Sequence, residues 1–488
     1  MAEYHNWRDT YKARQKGLAE AMELIRPGDL VGVTILAPEP LPSAVTKRGH
    51  EVGGITLRLL APASAALFGP DATPGEKEIE IFIGDTARPS HDAKSSTYLP
   101  NTFMLGLKAF DNGREEARIP DVYVTHCSPP NEAGYVHFGA HQWMRKAYAR
   151  RCRTVIALVD PNMMPVHGDV WLHVSEITAF VDGTIAPFDM AALMARIETE
   201  TPAENRARMR EIVPRLIPEV LGPLAPVLPM VPPAQLEAQF KLGPVDKEAQ
   251  SISDHLRQIL RDGDTIQVGV GEPSQLMFRA GAFDDLHHLG LHTELGSPGL
   301  ARLWERGILD NTLKTVHRGK CVAVAWSGCD GEDMAIIRDN PAFELYDPDY
   351  LLNPLLMAQN RQMTSINSAI AVDLLGQIAS EDRFAGNMVN GTGGQPDTHI
   401  SAALCKDGRA ITVLRSTALD GTLSKIVARH DAGTLVTIPR YLADTIVTEW
   451  GVARLLDKNH RQRAEELISI AHPDFRGELR AQAKDLWG

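Results

Sequence analysis

Two tandem open α/β domains are the architecture this sequence predicts, and three features predict it. Apolar strand-like runs alternate with amphipathic helical stretches, as at Thr154-Val155-Ile156-Ala157-Leu158-Val159 and Ala410-Ile411-Thr412-Val413-Leu414. That alternation favours largely parallel sheets covered by helices. A local pattern also occurs twice, at an offset of 235 residues from Gly28 to Gly263. Between the halves lies a Pro-rich segment, with Pro214, Pro218, Pro223, Pro226, Pro229, Pro232, Pro233 and Pro244. Proline lacks a backbone N–H and resists both helix and central strand, so the connection is placed there.

The repeated pattern sets the elements in order. Its first copy is Ile25-Arg26-Pro27-Gly28-Asp29-Leu30-Val31-Gly32-Val33, followed by Pro38-Glu39-Pro40. Its second is Leu260-Arg261-Asp262-Gly263-Asp264-Thr265-Ile266-Gln267-Val268, followed by Gly271-Glu272-Pro273. An amphipathic stretch precedes each copy, Trp7 to Leu24 and Val245 to Ile259. Each copy reads as helix, tight Gly-Asp turn, buried strand, then a strand-end turn into another helix. Self-similarity at a fixed offset signals repeated architecture. The expected division is an N-terminal domain over 1–213, a connector over 214–244 and a C-terminal domain over 245–488.

Composition narrows the function classes. The chain has 488 residues, 44% of them hydrophobic and 23% charged, enough for two or three separate cores. The net charge of −12 and pI near 5.8 argue against nucleic acid as a partner. The longest apolar run, Leu57 to Gly69, is interrupted by Arg58 and Pro62, so no membrane span is expected. Met1-Ala2-Glu3-Tyr4-His5-Asn6 lacks the basic and apolar parts of a signal peptide, and a cytoplasmic location is expected. Cys127, Cys152, Cys321, Cys329 and Cys405 are scattered, with no Cys-x-x-Cys pair, which suits a reducing compartment.

The chemistry concentrates on Glu294, in Leu291-His292-Thr293-Glu294-Leu295. Glycine-rich turns accompany it, Gly269-Val270-Gly271-Glu272-Pro273 upstream and Gly391-Thr392-Gly393-Gly394-Gln395 downstream. Glycine lets backbone approach a ligand closely, and free N–H groups in such turns can hold an oxyanion while a carboxylate attacks an acyl group. In parallel α/β sheets ligands sit at the carboxyl ends of strands, where Gly269 and, by inference, Glu294 lie. The upstream turn is not a dinucleotide fingerprint, because Ser274 stands where its third glycine would be. His167, Asp169 and His173 do not have the spacing of a metal pair on one helical face and are read as a structured loop. Cys329 reads as a buried thiol. Lys425 and Arg440 are candidate phosphate contacts. Arg145, Lys146, Arg150, Arg151 and Arg153 read as a solvated helix face.

Together these residues resemble the acetyl-CoA hydrolase/4-hydroxybutyrate CoA-transferase family of class I CoA-transferases. In the first half the resemblance rests on Ser128-Pro129-Pro130-Asn131-Glu132-Ala133-Gly134-Tyr135 and on Asp160-Pro161-Asn162-Met163-Met164-Pro165 with His167-Gly168-Asp169. In the second half it rests on the two glycine turns, His292-Thr293-Glu294, Ser365-Ile366-Asn367-Ser368-Ala369-Ile370, Asp373-Leu374-Leu375-Gly376-Gln377, Val447-Thr448-Glu449-Trp450-Gly451-Val452-Ala453 and Ile470-Ala471-His472-Pro473-Asp474-Phe475-Arg476. The chain departs from the family's usual pattern at Gly296-Ser297-Pro298-Gly299, at Asp397-Thr398 and at Lys425, where many members have arginine.

The resemblance implies two CoA-transferase α/β domains with the site between them and Glu294 as nucleophile. It implies that Gly391, Gly393, Gly394 and Gln395 help form the oxyanion hole, and that Gly269, Val270 and Gly271 line the same pocket, with Lys425 as a further CoA contact. It implies acyl-CoA and small carboxylic acids as substrates, no permanently bound cofactor or metal, and a homodimer or larger homo-oligomer. A thioester hydrolase on the same scaffold and a non-catalytic CoA-ester-binding protein are the alternatives. Because the glutamate attacks as an anion, its pocket is expected not to be wholly apolar.

Overall fold

A computed structural model describes residues 2–488 apart from 61–63, 70, 71, 217–220, 223, 226, 240, 241 and 383–386. Pro62, Pro218, Pro223 and Pro226 therefore lie outside the described residues. The first half builds a seven-stranded sheet from β1 (Leu30–Val33), β2 (Thr56–Leu60), β3 (Lys77–Glu80), β4 (Thr97–Leu99), β5 (Val122–Cys127), β6 (Thr154–Val159) and β7 (Ala179–Val181). Its order is β7-β6-β5-β1-β2-β3-β4 and every pairing is parallel. The second half builds a six-stranded sheet from β8 (Thr265–Val268), β9 (Gly290–Leu291), β10 (Met363–Ser368), β11 (Arg409–Val413), β12 (Thr445–Thr448) and β13 (Gly451–Arg454). Its order is β9-β8-β10-β11-β12-β13, parallel except for the terminal β12–β13 pair.

Strand alternation sorts the first sheet's side chains into two cores. Val122, Val124, Ile156 and Leu158 join one face with Val31, Val33 and Leu57. Tyr123, Cys127, Val155, Ala157 and Val159 join the other, which also takes in Val322, Val324, Leu351, Met363 and Cys405. The second face is thus shared with the other half of the chain. Backbone pairing reinforces the junction, since His167–Gly168 adds in parallel to Phe343–Leu345, which pairs with Cys321–Ala323.

The Gly-Asp turn is the same in both halves. Gly28 and Gly263 both have positive φ, 79° and 76°. Asp29 accepts the Arg26 N–H at 2.8 Å and Asp264 the Arg261 N–H at 2.9 Å. Each aspartate then meets an arginine near the start of the strand two places along its sheet, Asp29 with Arg153 at 3.3 Å and Asp264 with Arg409. The Glu39–Pro40 and Glu272–Pro273 bonds that follow are both cis. The helix before the second copy is continuous, Lys247–Arg257. The stretch before the first is two helices, Trp7–Arg14 and Leu18–Met22. The break comes where Lys16 N–H bonds Phe180 O at 2.8 Å, tying the intervening chain to the edge of the sheet.

Two expectations need correction. Arg145 and Lys146 are not on a solvated face, being 0% and 2% exposed. Arg145 donates to the carbonyls of Phe138 and Ile35, both at 3.0 Å, and Lys146 reaches Asp169. The loops around them present carbonyls that need donors, and a charge pattern alone does not reveal that. His167 and His173 lie in short strands rather than a loop, His173 pairing with Tyr135. The described residues of the Pro-rich segment pack with helices Met190–Glu200 and Ala203–Ile212 around Leu193, Ile197, Met209, Ile212, Leu228 and Leu236.

The two aspartate turns differ in burial, and stability should follow. The Asp264 side chain is wholly buried and Arg409 nearly so, whereas Arg153 is half exposed. Asp264→Ala strands a buried cation and should cost about 3–5 kcal/mol in urea unfolding. Asp29→Ala should cost about 1 kcal/mol, because Arg153 turns to water.

Candidate active site

The segment carrying Glu294 leaves the sheet just after β9 and is clamped on both sides. His292 N–H bonds Ile266 O at 3.0 Å, and Thr293 N–H bonds Val322 O at 3.0 Å. The Thr293 hydroxyl exchanges hydrogen bonds with the Val268 N–H and C=O, each at 3.3 Å. The Glu294 carbonyl accepts from Val324 and Ala325 N–H at 2.9 and 3.1 Å. His292 is buried and held neutral: burial, with Lys314 second, pushes it down to about 3. Its Nε2–H donates to Leu351 O at 2.7 Å, while Nδ1 accepts from the Asn360 amide at 3.0 Å. This ring locks the strand end from which Glu294 projects.

The Gly391–Gln395 loop closes over the carboxylate. Gly394 precedes helix Gln395–Leu404, and its N–H bonds the Glu294 side chain. A carboxylate there meets the positive end of the helix and an unsatisfied N–H. The fit requires glycine, since a methyl group at Gly394 would overlap Glu294 Oε2. Gly391 lies so close to Ile81 O and Tyr98 that a methyl group would collide with both. The Tyr98 hydroxyl accepts Thr392 N–H at 2.7 Å and donates to Ile81 O at 3.1 Å. Gly393 N–H is taken by Ile81 O at 3.3 Å. The loop is therefore seated on the first half of the chain.

Glu294 is 8% exposed. Burial pushes its carboxyl up to about 8, the Asp397 carboxylate adds to this, and the Gly394 N–H opposes it. The pocket is not wholly apolar, since the Gly394 N–H faces the carboxylate, but burial outweighs that donor and favours the protonated acid. Gln395 is also buried, and its Nε2 has no hydrogen-bond partner among the described residues.

The other expected residues are spread along the carboxyl ends of β8 and β10. Gly269 follows β8, with its N–H on Ile366 O at 2.8 Å, and Asn367 stands against its Cα. Asn367 itself donates to Gln267 and Thr398. Ser274 bonds the carbonyls of Gly269 and Gly271 at 2.7 and 2.8 Å, which fixes the turn and leaves Val270 half-buried and Gly271 exposed. Lys425 Nζ donates to Ala369 O at 3.2 Å, next to the Ser368 that packs on Gly271. Burial, with Arg415 second, lowers Lys425 to about 8. It lines a cavity of about 480 Å³ with Asp92, Ile370, Asn387, Leu419 and Leu423. Arg440 is exposed. Cys329 is buried, and burial raises its thiol well above the usual range.

His167, Asp169 and His173 turn to separate partners, Asp339, Lys146 and Ser175. Sequence reasoning missed Tyr98, which seats the glycine loop, and the part played by Asp397 beside Glu294. Each acts across nearly 300 residues of chain, at separations of 294 from Tyr98 to Thr392 and 293 from Met104 to Asp397. No local motif encodes such a pairing.

A buried acid with a raised pKa favours folding while neutral, and that advantage is lost as pH rises through the folded value. Glu294→Gln should therefore unfold at a higher temperature than the parent protein above about pH 8. The difference should shrink toward zero as pH falls to the ordinary carboxyl range, as thermal melts from pH 5 to 9 would read directly.

Known proteins resemble this chain along almost its whole length. Residues 332–483 match the model of the acetyl-CoA hydrolase/transferase C-terminal domain. The chain is 30% identical to 4-hydroxybutyrate coenzyme A transferase of Clostridium kluyveri over 98% of its own length and 99% of that protein. It is 28% identical to succinyl-CoA:cyclohexane-1-carboxylate CoA transferase of Geobacter metallireducens, covering 97% and 96% of the two chains. Among solved structures, RipA from Yersinia pestis superposes with a TM-score of 0.77 at 27% identity, covering 98% of this chain and 99% of that one. A 4-hydroxybutyrate CoA-transferase from Porphyromonas gingivalis does so with a TM-score of 0.69 at 26% identity, covering 99% and 100%. A glutamate held at a helix N-terminus by a glycine loop, on a scaffold shared end to end with these proteins, places the chain in the acetyl-CoA hydrolase/4-hydroxybutyrate CoA-transferase family of CoA-transferases.

Proposed function

We propose that the protein moves CoA between a short-chain acyl-CoA and a free carboxylic acid of the acetate, butyrate, 4-hydroxybutyrate or succinate type, with Glu294 as the nucleophile. The observation that carries the reading is the buried Glu294 carboxylate set against the Gly394 N–H at the start of helix Gln395–Leu404. The names of the relatives supply the substrate classes.

The steps follow from covalent catalysis. A Glu294 oxygen attacks the thioester carbonyl and the C–S bond breaks, giving a glutamyl–acyl anhydride and CoA thiolate. The thiolate attacks the glutamyl carbonyl, and the first acid leaves as its carboxylate, giving a glutamyl–CoA thioester. The carboxylate of a second acid attacks that thioester and expels the thiolate. The thiolate then attacks the acyl carbonyl of the new anhydride, which frees the new acyl-CoA and restores Glu294. No proton is gained or lost over the cycle.

In each addition an oxyanion forms near Glu294. Gly394 N–H, which already bonds the Glu294 side chain, and the unspent amide of adjacent Gln395 would be its donors. Gly269 and Gly393 N–H are occupied by Ile366 O and Ile81 O, so their part is to shape the wall. The cavity beside Lys425 would suit the body of CoA, with the lysine as an anion contact. Exclusion of water protects both intermediates from hydrolysis.

Intact-mass analysis of the protein mixed with a panel of acyl-CoAs, without acceptor acid, tests the reading. A CoA adduct mapping to Glu294 is expected, forming faster as pH rises to about 8 and levelling above it, because the anion attacks. Steady CoA release without adduct or acceptor would instead identify a hydrolase. Saturable binding with neither would identify a binding protein.

Gly394→Ala crowds Glu294 and shifts the oxyanion donor. It should keep the fold and lose about 10²–10³ in kcat, to be read in a CoA-transfer assay beside circular dichroism.

A further inference from the structure

Asp397 is 2% exposed and has no role in the steps above. It stands in the first turn of helix Gln395–Leu404, the helix whose preceding N–H bonds Glu294. Its own carboxylate faces away into the first half of the chain. There it accepts the Met104 N–H at 3.3 Å, with the Phe103 N–H and the Thr102 hydroxyl as further partners. The two N–H groups are first-turn donors of helix Phe103–Asp111 with no acceptor inside the helix, which Thr102 also caps through Leu105 N–H at 3.2 Å. Helix Phe103–Asp111 packs in turn on helix Pro348–Leu351, whose Leu351 carbonyl holds His292. One first-half helix thus touches both grips on Glu294, the glycine loop through Asp397 and the strand end through His292.

We infer that Asp397 is a positioning residue for the nucleophile: its carboxylate, shared between the first turns of helices Gln395–Leu404 and Phe103–Asp111, fixes the glycine loop over Glu294 to the other half of the chain. The inference rests on Glu294 being the reacting carboxylate. Its charge also acts on Glu294 and keeps that acid from ionising early. The other titratable groups on the packed elements are otherwise engaged. His292 and His399 are held neutral by burial, at about 3 and about 4. Lys108 and Asp111 stand on later turns of the capped helix, and Asp111 and Asp349 pair with Arg151. Glu80 is bonded to Asn101 and Tyr148.

Three variants separate charge from grip. Asp397→Asn keeps an acceptor for the helix N–H groups and removes the charge. Thr102→Val loosens the grip and keeps the charge. Asp397→Ala removes both. The readouts are the titration of Glu294 by carbon NMR of ¹³C-glutamate-labelled protein, assigned with Glu294→Gln, and the pH dependence of kcat/KM. In Asp397→Asn the Glu294 midpoint should fall by about 1 on the pH scale, and the acid limb of kcat/KM should fall with it. Thr102→Val should leave the midpoint in place and lower kcat by about 10-fold, and Asp397→Ala should lower it by about 10²-fold. An unmoved midpoint in Asp397→Asn, or full kcat in Thr102→Val, overturns the inference. The titration needs no turnover, so a moved midpoint in a protein that forms no Glu294 adduct supports the link and overturns the transferase reading instead.

Discussion

The contact on which the rest depends is a carboxylate pressed against the N-terminus of a helix with no room for a side chain between them. Glu294 loses water on burial, and the Gly394 N–H is the compensation the chain supplies. That geometry demands glycine at three nearby points for three different reasons. At Gly391 the obstacle is Ile81 O and Tyr98, at Gly393 a positive φ of 60° beside Phe82, and at Gly394 the carboxylate itself. A loop so thin can pass between two packed halves, and here it does, donating the Thr392 and Gly393 N–H groups to the first and the Gly394 N–H to Glu294 of the second.

Duplication has been used unequally. Pairing of Leu30 with Thr56 in the first sheet matches pairing of Thr265 with Gly290 in the second. Four residues beyond those partners stand Leu60 and Glu294. Leu60 packs in an apolar core, and beside it Arg58, Glu80 and Arg145 line a space of only about 10 Å³. The first half keeps the architecture of a site and fills it with side chains. What it lends instead are supports: Ile81 and Tyr98 beneath the glycine loop, and the helix cap that holds Asp397. Glu294 belongs to one half and its supports to both.

The portion of this that the sequence shows is the local portion. The Gly-Asp turn is legible twice because a positive φ and a side-chain bond three residues back are encoded within five residues. Thr154–Val159 is legible because its run of five apolar residues, Val155 to Val159, suits a strand buried on both faces. Glu294 stands out because glycine turns flank it in sequence as well as in space. Arg145 does not, because its partners are the carbonyls of Phe138 and Ile35, and a carbonyl's need for a donor leaves no trace in residue type. Tyr98 and Asp397 are silent for a related reason: each meets its partner across the junction of the two halves, nearly 300 residues away in sequence.

Burial of the proposed nucleophile sets one requirement against another. With its carboxyl near 8, Glu294 is roughly a tenth ionised at pH 7, a cost of about 1.4 kcal/mol in available anion. A wetter pocket would remove that cost and admit water, which in the proposed mechanism would attack the same carbonyls as the acceptor acid. Gly394 moderates the cost without admitting water, because a backbone N–H favours the anion and brings no mobile solvent with it. Asp397 works the other way on charge, while its carboxylate caps helix Phe103–Asp111 across the junction of the two halves. Such seclusion suits transfer rather than hydrolysis: Glu294 is held at 8% exposure behind a loop whose Gly391 leaves no space for a side chain.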